Sequence, residues 1–189
     1  MYFLFFIFII LLIGVERGFM KKLIILLIFC LLLSGCSIKK TEELSSAEKF
    51  SIEYSIDADN PFEYIVYSEV FDLLNDGNGV LFLGNSDCEW CIQSAKILYD
   101  VVLDSEVDVV YYFNPNNLGS KKYKDLITLI DDKYSDDFSE IKLPSLFIIK
   151  DGNIVGYTDY SLEKSDDLDD KKMILKNKYI KLINMIDIF

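Results

Sequence analysis

The chain has 189 residues, contains no histidine and carries a formal net charge of −12 at pH 7, from 31 acidic and 19 basic residues. From Cys36 onward the balance is −14, with 30 acidic residues against 16 lysines and no arginine. Such a surface repels nucleic-acid phosphates and anionic lipid headgroups, so the composition excludes a nucleic acid as a partner and favours solubility.

The amino end has the features of an export signal. Met20 and two lysines are followed by an apolar run, Leu23–Leu32, of signal-peptide length. The run ends in Leu33-Ser34-Gly35-Cys36, which resembles the bacterial lipobox, a motif whose cysteine is lipidated on sulfur and becomes the first residue. The resemblance implies that Cys36 is the lipid attachment site. It also implies that the mature protein is anchored to the outer, extracytoplasmic face of the cell membrane.

Residues 1–35 are therefore predicted to be a signal-peptide region. A second apolar run, Met1–Ile13, precedes Met20, and two interpretations of it are open. The first interpretation is a short extra membrane segment, although neither run reaches the roughly 18 to 20 apolar residues that a spanning helix needs. Alternatively, Met20 is the true start of translation, which is the interpretation we favour.

The chain after Cys36 divides into a polar segment and a domain. Residues 36–60 are rich in lysine and glutamate, and we interpret them mainly as a lipidated tether. A short apolar alternation over Phe50–Ile56 predicts one peripheral strand within this segment. Residues 61–189 are predicted to form one domain, because the about 150 residues left after cleavage suit a single core.

Strands and helices alternate along residues 61–189. β-Branched and aromatic residues predict strands over Glu63–Tyr67, Gly79–Gly84, Val107–Phe113, Leu143–Lys150 and Ile154–Tyr157, the last two joined by an Asp-Gly hairpin. Helical spacing predicts helices over Glu69–Asn75 with Ser68 as N-cap, Cys88–Val102, Lys121–Asp132 and Leu168–Ile188. The alternation implies parallel pairing, so we predict an α/β fold with a central mixed sheet flanked by helices.

The motif Cys88-Glu89-Trp90-Cys91 follows a buried apolar run and opens a predicted helix. Residues three apart on a helix face the same side, so the two sulfurs can form a small disulfide ring. Cys88 lies where unpaired N–H groups and the helix dipole favour a thiolate, which is the nucleophilic form. Cys91, one turn further, is shielded and suited to resolve a mixed disulfide. The pattern indicates thiol–disulfide exchange, with Cys88 and Cys91 as the catalytic residues.

Two other interpretations of the cysteine pair stay open. The pair could supply two of the four ligands of a zinc site. The chain has no histidine, however, and neither of the other two cysteines is placed to complete a tetrahedral set, so we expect no metal and no cofactor. An inert structural disulfide is the stronger alternative, although so small a ring removes little chain entropy. Outside the membrane the pair meets an oxidising environment, so a dithiol there needs a membrane redox partner.

The motif after a central strand, together with Leu143-Pro144-Ser145 and the Asp-Gly hairpin, resembles the thioredoxin superfamily over Glu63–Ile188. The resemblance implies a thioredoxin-like fold in which Pro144 is cis, faces the dithiol and shapes a groove for the substrate chain with Leu143. The competing interpretation is a trans proline at the start of an edge strand. Trp90 is predicted to lie over the dithiol or in this groove, or else to be an ordinary packing residue.

Three segments are more narrowly similar to extracytoplasmic thioredoxin-like proteins of low-GC Gram-positive bacteria, some of which are called bacteriocin transport accessory proteins. These segments are Gly79–Gly84, Val110–Pro115 and Lys150–Tyr157. The resemblance implies an oxidoreductase that acts on an exported protein or peptide with cysteines. A second hypothesis is a non-catalytic module that binds an exported peptide or a transporter. A third is the delivery of reductant for haem attachment to cytochrome c.

The motif departs from thioredoxin at three positions. Asp87 stands where thioredoxin has tryptophan, and Glu89-Trp90 replace Gly-Pro between the cysteines. The buried acidic residue of the thioredoxin central strand falls on Phe82, so Cys91 must lose its proton to water or another group. The carboxylates of Asp87 and Glu89 oppose a Cys88 thiolate, which predicts a site biased towards reduction or isomerisation rather than strong oxidation.

Overall fold

The computed structural model describes residues 43–134, 138–160 and 167–186. The predicted signal region and the predicted lipidation site, Cys36, lie outside the described residues. The described residues belong to one compact unit that begins at Glu43. Within the described ranges, the helices are all too short or too polar to cross a membrane.

The described residues form a mixed five-stranded sheet flanked by five helices, which is a thioredoxin-like α/β fold, as predicted. The helices are α1 Ser46–Tyr54, α2 Tyr67–Asp76, α3 Glu89–Leu103, α4 Ser120–Lys133 and α5 Leu168–Ile183. The strands are β1 Phe62–Tyr64, β2 Gly79–Leu83, β3 Val110–Phe113, β4 Ser145–Lys150 and β5 Asn153–Asp159. A 3₁₀ turn over Pro115–Asn117 follows β3.

The strand order across the sheet is β1-β3-β2-β4-β5. Strands β1, β3 and β2 pair in parallel, whereas β4 pairs antiparallel with both β2 and β5. Strand β2 is therefore central, and its residues Val80 to Leu83 are all buried. An unbroken apolar run is typical of a strand covered on both faces, so the prediction of a buried central strand is confirmed.

The two faces of the sheet carry separate hydrophobic clusters, because successive side chains of a strand point to opposite sides. The first cluster combines Val80 and Phe82 with buried residues of α1, α3 and α5. The second cluster combines Leu81 and Leu83 with buried residues of α2 and α4. Cys91 belongs to the first cluster, so the chemistry of the motif lies on the face that α1, α3 and α5 cover.

Residues 46–54 form a helix, not the tether with a peripheral strand that the sequence predicted. Ser45 caps α1 reciprocally with Glu48: the Glu48 N–H donates to Ser45 Oγ at 3.2 Å, and the Ser45 N–H donates to Glu48 Oε2 at 2.9 Å. Phe50 and Tyr54, four residues apart, are both fully buried, whereas Ile52 between them is 69% exposed. Only every fourth residue of the apolar alternation over Phe50–Ile56 is therefore buried in α1, which is the spacing of a helix and not of a strand. The packed structure begins before residue 61.

Smaller boundaries also differ from the prediction: β3 begins at Val110, and α5 ends at Ile183. Helix α2 begins at Tyr67 with Val66 as N-cap, because the Glu69 carboxylate accepts the Val66 N–H at 2.7 Å; Ser68 lies inside the helix. The first strand consequently ends at Tyr64. In α5, Leu175, Tyr179 and Leu182 are buried, whereas Leu168 is 49% exposed at the first turn.

The predicted Asp-Gly hairpin is present between β4 and β5. Asp151 and Gly152 have positive φ angles of 49° and 73°, which is the conformation of the tight turns that match the twist of paired strands. The Gly152 N–H donates to the Gly77 carbonyl at 2.9 Å, so the turn is held against the end of α2. This hairpin makes the end of β5 return to the sheet edge at which β4 begins.

Candidate functional site

Cys88 is the N-cap of α3, as the sequence predicted. A turn after β2 leads into the helix, where the Cys88 N–H donates to the Asn85 carbonyl at 3.0 Å. The Cys88 sulfur accepts the backbone N–H of Cys91 at 3.4 Å. The sulfur therefore occupies the place of a capping oxygen, next to otherwise unpaired N–H groups of the helix.

The two sulfurs differ in exposure, although both are free thiols. Cys88 is partly exposed, whereas none of the Cys91 surface is exposed. Burial, and secondly the hydrogen bond with Cys88, raise the pKa of Cys91 to about 12. A backbone hydrogen bond from Asn85 acts in the opposite direction. Cys88 is the sulfur that a solute can reach, and Cys91 is held as a thiol behind it.

Pro144 lies at the same edge of the sheet as the dithiol. Leu83, at the end of β2, pairs with Ser145, at the start of the antiparallel strand β4. The Leu143–Pro144 peptide bond is cis, so the prediction of a cis bond at Pro144 is confirmed and the trans alternative is wrong. Leu143 is partly buried and packs against both hydrophobic clusters. The structure thus places the predicted groove residues beside the turn that precedes Cys88.

Trp90 is stacked on Tyr160, with the ring centroids 4.3 Å apart and the ring planes inclined by 28°. Tyr160 directly follows β5, and its N–H donates to the Pro144 carbonyl at 3.1 Å. The pair therefore connects the dithiol motif to the proline segment. Trp90 is partly exposed, so it lies at the surface rather than in the core, and its contact with a substrate stays a prediction.

Sequence reasoning missed Tyr160. The available signal was topological: β5 runs antiparallel to β4, so the residue after β5 returns to the edge that holds Pro144. The Tyr160 hydroxyl is buried and has no hydrogen-bond partner among the described residues. Burial, and secondly the negative charge of a Cys88 thiolate, raise the pKa of Tyr160 to about 12. The phenol therefore stays protonated at neutral pH and is available as a donor.

Tyrosine hydroxyls, in place of a carboxylate, lie near Cys91. Tyr54 donates to the Tyr112 hydroxyl at 2.9 Å, and Tyr112 donates to the Gly84 carbonyl at 3.3 Å. Burial raises the pKa of Tyr112 to about 12 and that of Tyr54 even more, and a Cys91 thiolate contributes to both shifts. Phe82 is fully buried in the same cluster. Because both phenols keep their protons, neither replaces the missing acid as an acceptor for the Cys91 proton.

Asp87 and Glu89, the two carboxylates next to Cys88 along the chain, are both exposed. Solvent and salt screen the field of exposed charges, so these carboxylates oppose a thiolate only weakly. The helix N-terminus acts on the Cys88 sulfur from direct contact through the Cys91 N–H. Burial therefore disfavours a Cys91 thiolate, whereas the helix N-terminus faces the Cys88 sulfur.

No protein-family model matches the chain, and no curated protein matches it. Across the described ranges, no group of three or more cysteine, aspartate and glutamate residues is arranged to hold a metal ion.

Proposed function

We propose that this protein is a membrane-anchored thiol–disulfide oxidoreductase of the thioredoxin-like superfamily that acts on disulfides of exported proteins or peptides. One observation carries the proposal: a partly exposed sulfur at a helix N-terminus is paired with a fully buried sulfur one turn away. Exchange needs one sulfur that meets the substrate and one that stays shielded. An inert structural disulfide needs no such difference.

In the first step, the Cys88 thiolate attacks one sulfur of the substrate disulfide. A bond forms between Cys88 Sγ and that sulfur while the substrate S–S bond breaks, and the departing thiolate takes a proton from water. The Cys91 N–H, 3.4 Å from Cys88 Sγ, and the helix dipole both stabilise the attacking thiolate.

In the second step, Cys91 loses its proton to water and attacks Cys88 Sγ. The Cys88–Cys91 disulfide forms, and the second substrate sulfur leaves and is protonated. The substrate gains two electrons and the protein dithiol loses them, so a membrane redox partner with its own dithiol must reduce the protein again. The same steps in reverse transfer a disulfide to a reduced client.

The substrate chain is proposed to lie along Trp90, Leu143 and Pro144. Trp90 and Leu143 are each partly exposed, and the stacked Trp90–Tyr160 pair forms a rigid aromatic surface beside Cys88. Such a surface buries apolar parts of a peptide without ordering many rotatable bonds. No cofactor is required, since the two sulfurs carry the electrons.

Location outside the membrane is supported by the lipobox-like segment that ends at Cys36. A lipid on Cys36 keeps the domain near exported chains and near a membrane redox partner. The strongly acidic composition after Cys36 also limits adsorption of the domain to anionic headgroups.

The proposal is tested by insulin reduction and by reactivation of a scrambled disulfide protein, using the chain from residue 37 onward. We expect catalysis of both reactions. Cys88→Ser should lower the rate at least about a hundredfold, because the nucleophile is lost, and Cys91→Ser should stop turnover after the first step. Equal rates for the parent protein and Cys88→Ser contradict the proposal.

Cys91→Ser also identifies the client. Without the resolving sulfur, the mixed disulfide on Cys88 persists and can be isolated from cells that express the lipidated protein. The matched control is the double variant Cys88→Ser, Cys91→Ser, which should retain no client through a reducible bond. Recovery of the same proteins with both variants rules out a mixed disulfide as the means of capture.

The raised pKa of Cys91 favours one alternative, a module that holds a client without turning over. If Cys91 is almost entirely protonated, a mixed disulfide on Cys88 is resolved slowly and behaves as a tether. In that case the parent protein forms the mixed disulfide but shows no catalysed insulin reduction. Steady turnover by the parent protein excludes this alternative.

A further inference from the structure

Strand β5 forms one edge of the sheet. It pairs with β4 on one side, and no other described strand pairs with it. A groove of about 620 Å³ is lined by six consecutive residues of β5, 154–159. Successive side chains of a strand point to opposite faces, so a groove that touches all six residues follows the edge itself and not one face of the sheet.

The groove contains backbone groups of β5 that do not bond to β4. In an antiparallel pair of strands, residue pairs that exchange backbone hydrogen bonds alternate with pairs that do not. The Tyr160 N–H donates to the Pro144 carbonyl, so the register assigns Thr158 to the next bonded pair and Tyr157 to a pair without such bonds. The N–H and C=O of Tyr157 therefore point to the open edge, where another chain can pair with them.

The two walls of the groove come from opposite faces of the sheet and differ in chemistry. On one face, the ring centroid of Tyr134, the C-cap of α4, lies 5.3 Å from that of Tyr157, so this wall is aromatic. On the other face, α5 packs against β5 through Leu182. This second wall carries Lys178 and Lys181.

The lysines make the groove locally cationic, although the chain as a whole is acidic. Lys178 is partly exposed and Lys181 is exposed, and neither has an ion-pair or hydrogen-bond partner within the part of the chain that the structure describes. The carboxylate that lines the groove, that of Asp159, accepts the Tyr157 hydroxyl at 3.1 Å. Both ammonium groups are therefore available to the carboxylates of a ligand.

We propose that this groove binds an extended segment of a partner protein as a sixth strand of the sheet, and that the segment alternates apolar and acidic residues. Main-chain hydrogen bonds at an open sheet edge provide affinity for an extended chain, and side-chain contacts provide specificity. Alternate side chains of the added strand face the aromatic wall and the lysine wall, so the first set is apolar and the second acidic. The inference is independent of the proposed exchange function, because neither sulfur takes part.

A second copy of this chain fits the groove less well than an acidic segment. Antiparallel pairing of two β5 edges would bring the lysine walls of both copies together, since α5 lies on the same face of the sheet in each. The two domains would also each carry the charge of −14 that follows Cys36. Both effects are repulsive, whereas an acidic strand is attracted to Lys178 and Lys181.

The test uses the full chain and a fluorescein-labelled ten-residue peptide of alternating glutamate and valine. Fluorescence anisotropy measures the affinity, and hydrogen–deuterium exchange with mass spectrometry locates the site. We expect saturable binding that slows exchange in the proteolytic fragment that contains Tyr157. N-methylation of all valines or of all glutamates removes the N–H groups that face β5 in one of the two versions. That version should bind at least about tenfold more weakly.

The lysine wall is tested with two double variants of the same helix. Lys178→Gln with Lys181→Gln should weaken binding about fivefold, because two ion pairs at exposed or partly exposed sites are lost. The matched control is Lys172→Gln with Lys176→Gln, which removes the same charge from residues that do not line the groove. This control should change the affinity by less than about twofold.

Four outcomes overturn the inference: protection that falls outside β5, equal affinity for the parent peptide and both N-methylated versions, equal losses for the two double variants, and self-association through β5. The last is detected as protection of β5 that increases with chain concentration when no peptide is present, and it makes a second copy the occupant. A failure to reduce insulin contradicts only the proposed function, because the groove and the dithiol are tested by separate measurements.

Discussion

The two cysteines of the motif lie one turn apart, but their surroundings differ. Around Cys88 the structure offers partial exposure, a helix N-terminus and an aromatic surface made by Trp90 and Tyr160. Around Cys91 it offers complete burial and protonated tyrosine hydroxyls. The difference is the one that the proposed exchange requires: the outer sulfur can meet a substrate at a helix N-terminus, and the inner one is shielded and kept as a thiol.

The largest effect that follows from this difference is the pH dependence of resolution. The raised pKa of Cys91, about 12, means that its thiolate fraction grows about tenfold per pH unit throughout the range below that value. A small thiol joined to Cys88 as a mixed disulfide is displaced when Cys91 attacks Cys88. We expect the rate of this attack to increase about tenfold for each pH unit between pH 6 and pH 10. Acid quenching followed by mass spectrometry measures the rate. A plateau below pH 9 contradicts the shielding of Cys91.

The second prediction concerns Phe50, which packs in the same hydrophobic cluster as Cys91. Phe50 is fully buried on α1 and stacks on Phe62 with a centroid distance of 3.9 Å. Phe50→Ala should lower the free energy of unfolding by about 3–5 kcal/mol, because it leaves a cavity in the first cluster. Urea denaturation measures the loss.

The matched control for Phe50→Ala lies on the same helix. Ile52 is 69% exposed, so Ile52→Ala should change the free energy of unfolding by less than about 0.5 kcal/mol. Equal, small effects for the two variants are the outcome expected of a tether, and they contradict the packed helix.

The smallest effect concerns the hydroxyl pair next to Cys91. Tyr54→Phe removes the bond to Tyr112 but leaves the Tyr112 bond to the Gly84 carbonyl, so we expect a loss of about 1 kcal/mol in the free energy of unfolding. The rate of resolution should stay within about twofold of the parent rate, because neither phenol accepts a proton. A tenfold slower resolution contradicts this and assigns the pair a part in proton removal.

The surroundings of Cys88, which include the end of β2 and Pro144, were easier to predict from the sequence than those of Cys91. The unbroken apolar run of β2 marks a strand covered on both faces, and the CxxC that follows it marks the start of a helix. Pro144 and the Asp-Gly turn are local signals. Proline restricts the backbone conformation of its own position, and glycine allows the positive φ angle that the tight turn requires. These features do not depend on where distant parts of the chain lie.

The surroundings of Cys91 and the position of Tyr160 depend on contacts between distant parts of the chain. The sequence-based prediction of these contacts was incomplete. The pair Phe50 and Tyr54 fits both a strand and a helical period, and the capping pair Ser45 and Glu48 was the signal that favours the helix. Tyr160 joins the site only because β5 returns to the edge where β4 begins. Periodicity along one segment contains no information about such a contact.

The central claim is that Cys88 is the reachable nucleophile and Cys91 the shielded resolving sulfur. The most direct measurement is the reaction of the reduced protein from residue 37 onward with an aromatic disulfide that releases a coloured thiolate. We predict two released thiolates per molecule for the parent protein, ending in a Cys88–Cys91 disulfide, and one for Cys91→Ser, with the adduct on Cys88. An adduct on Cys91, or a parent protein that keeps its adduct without closing the ring, contradicts the account.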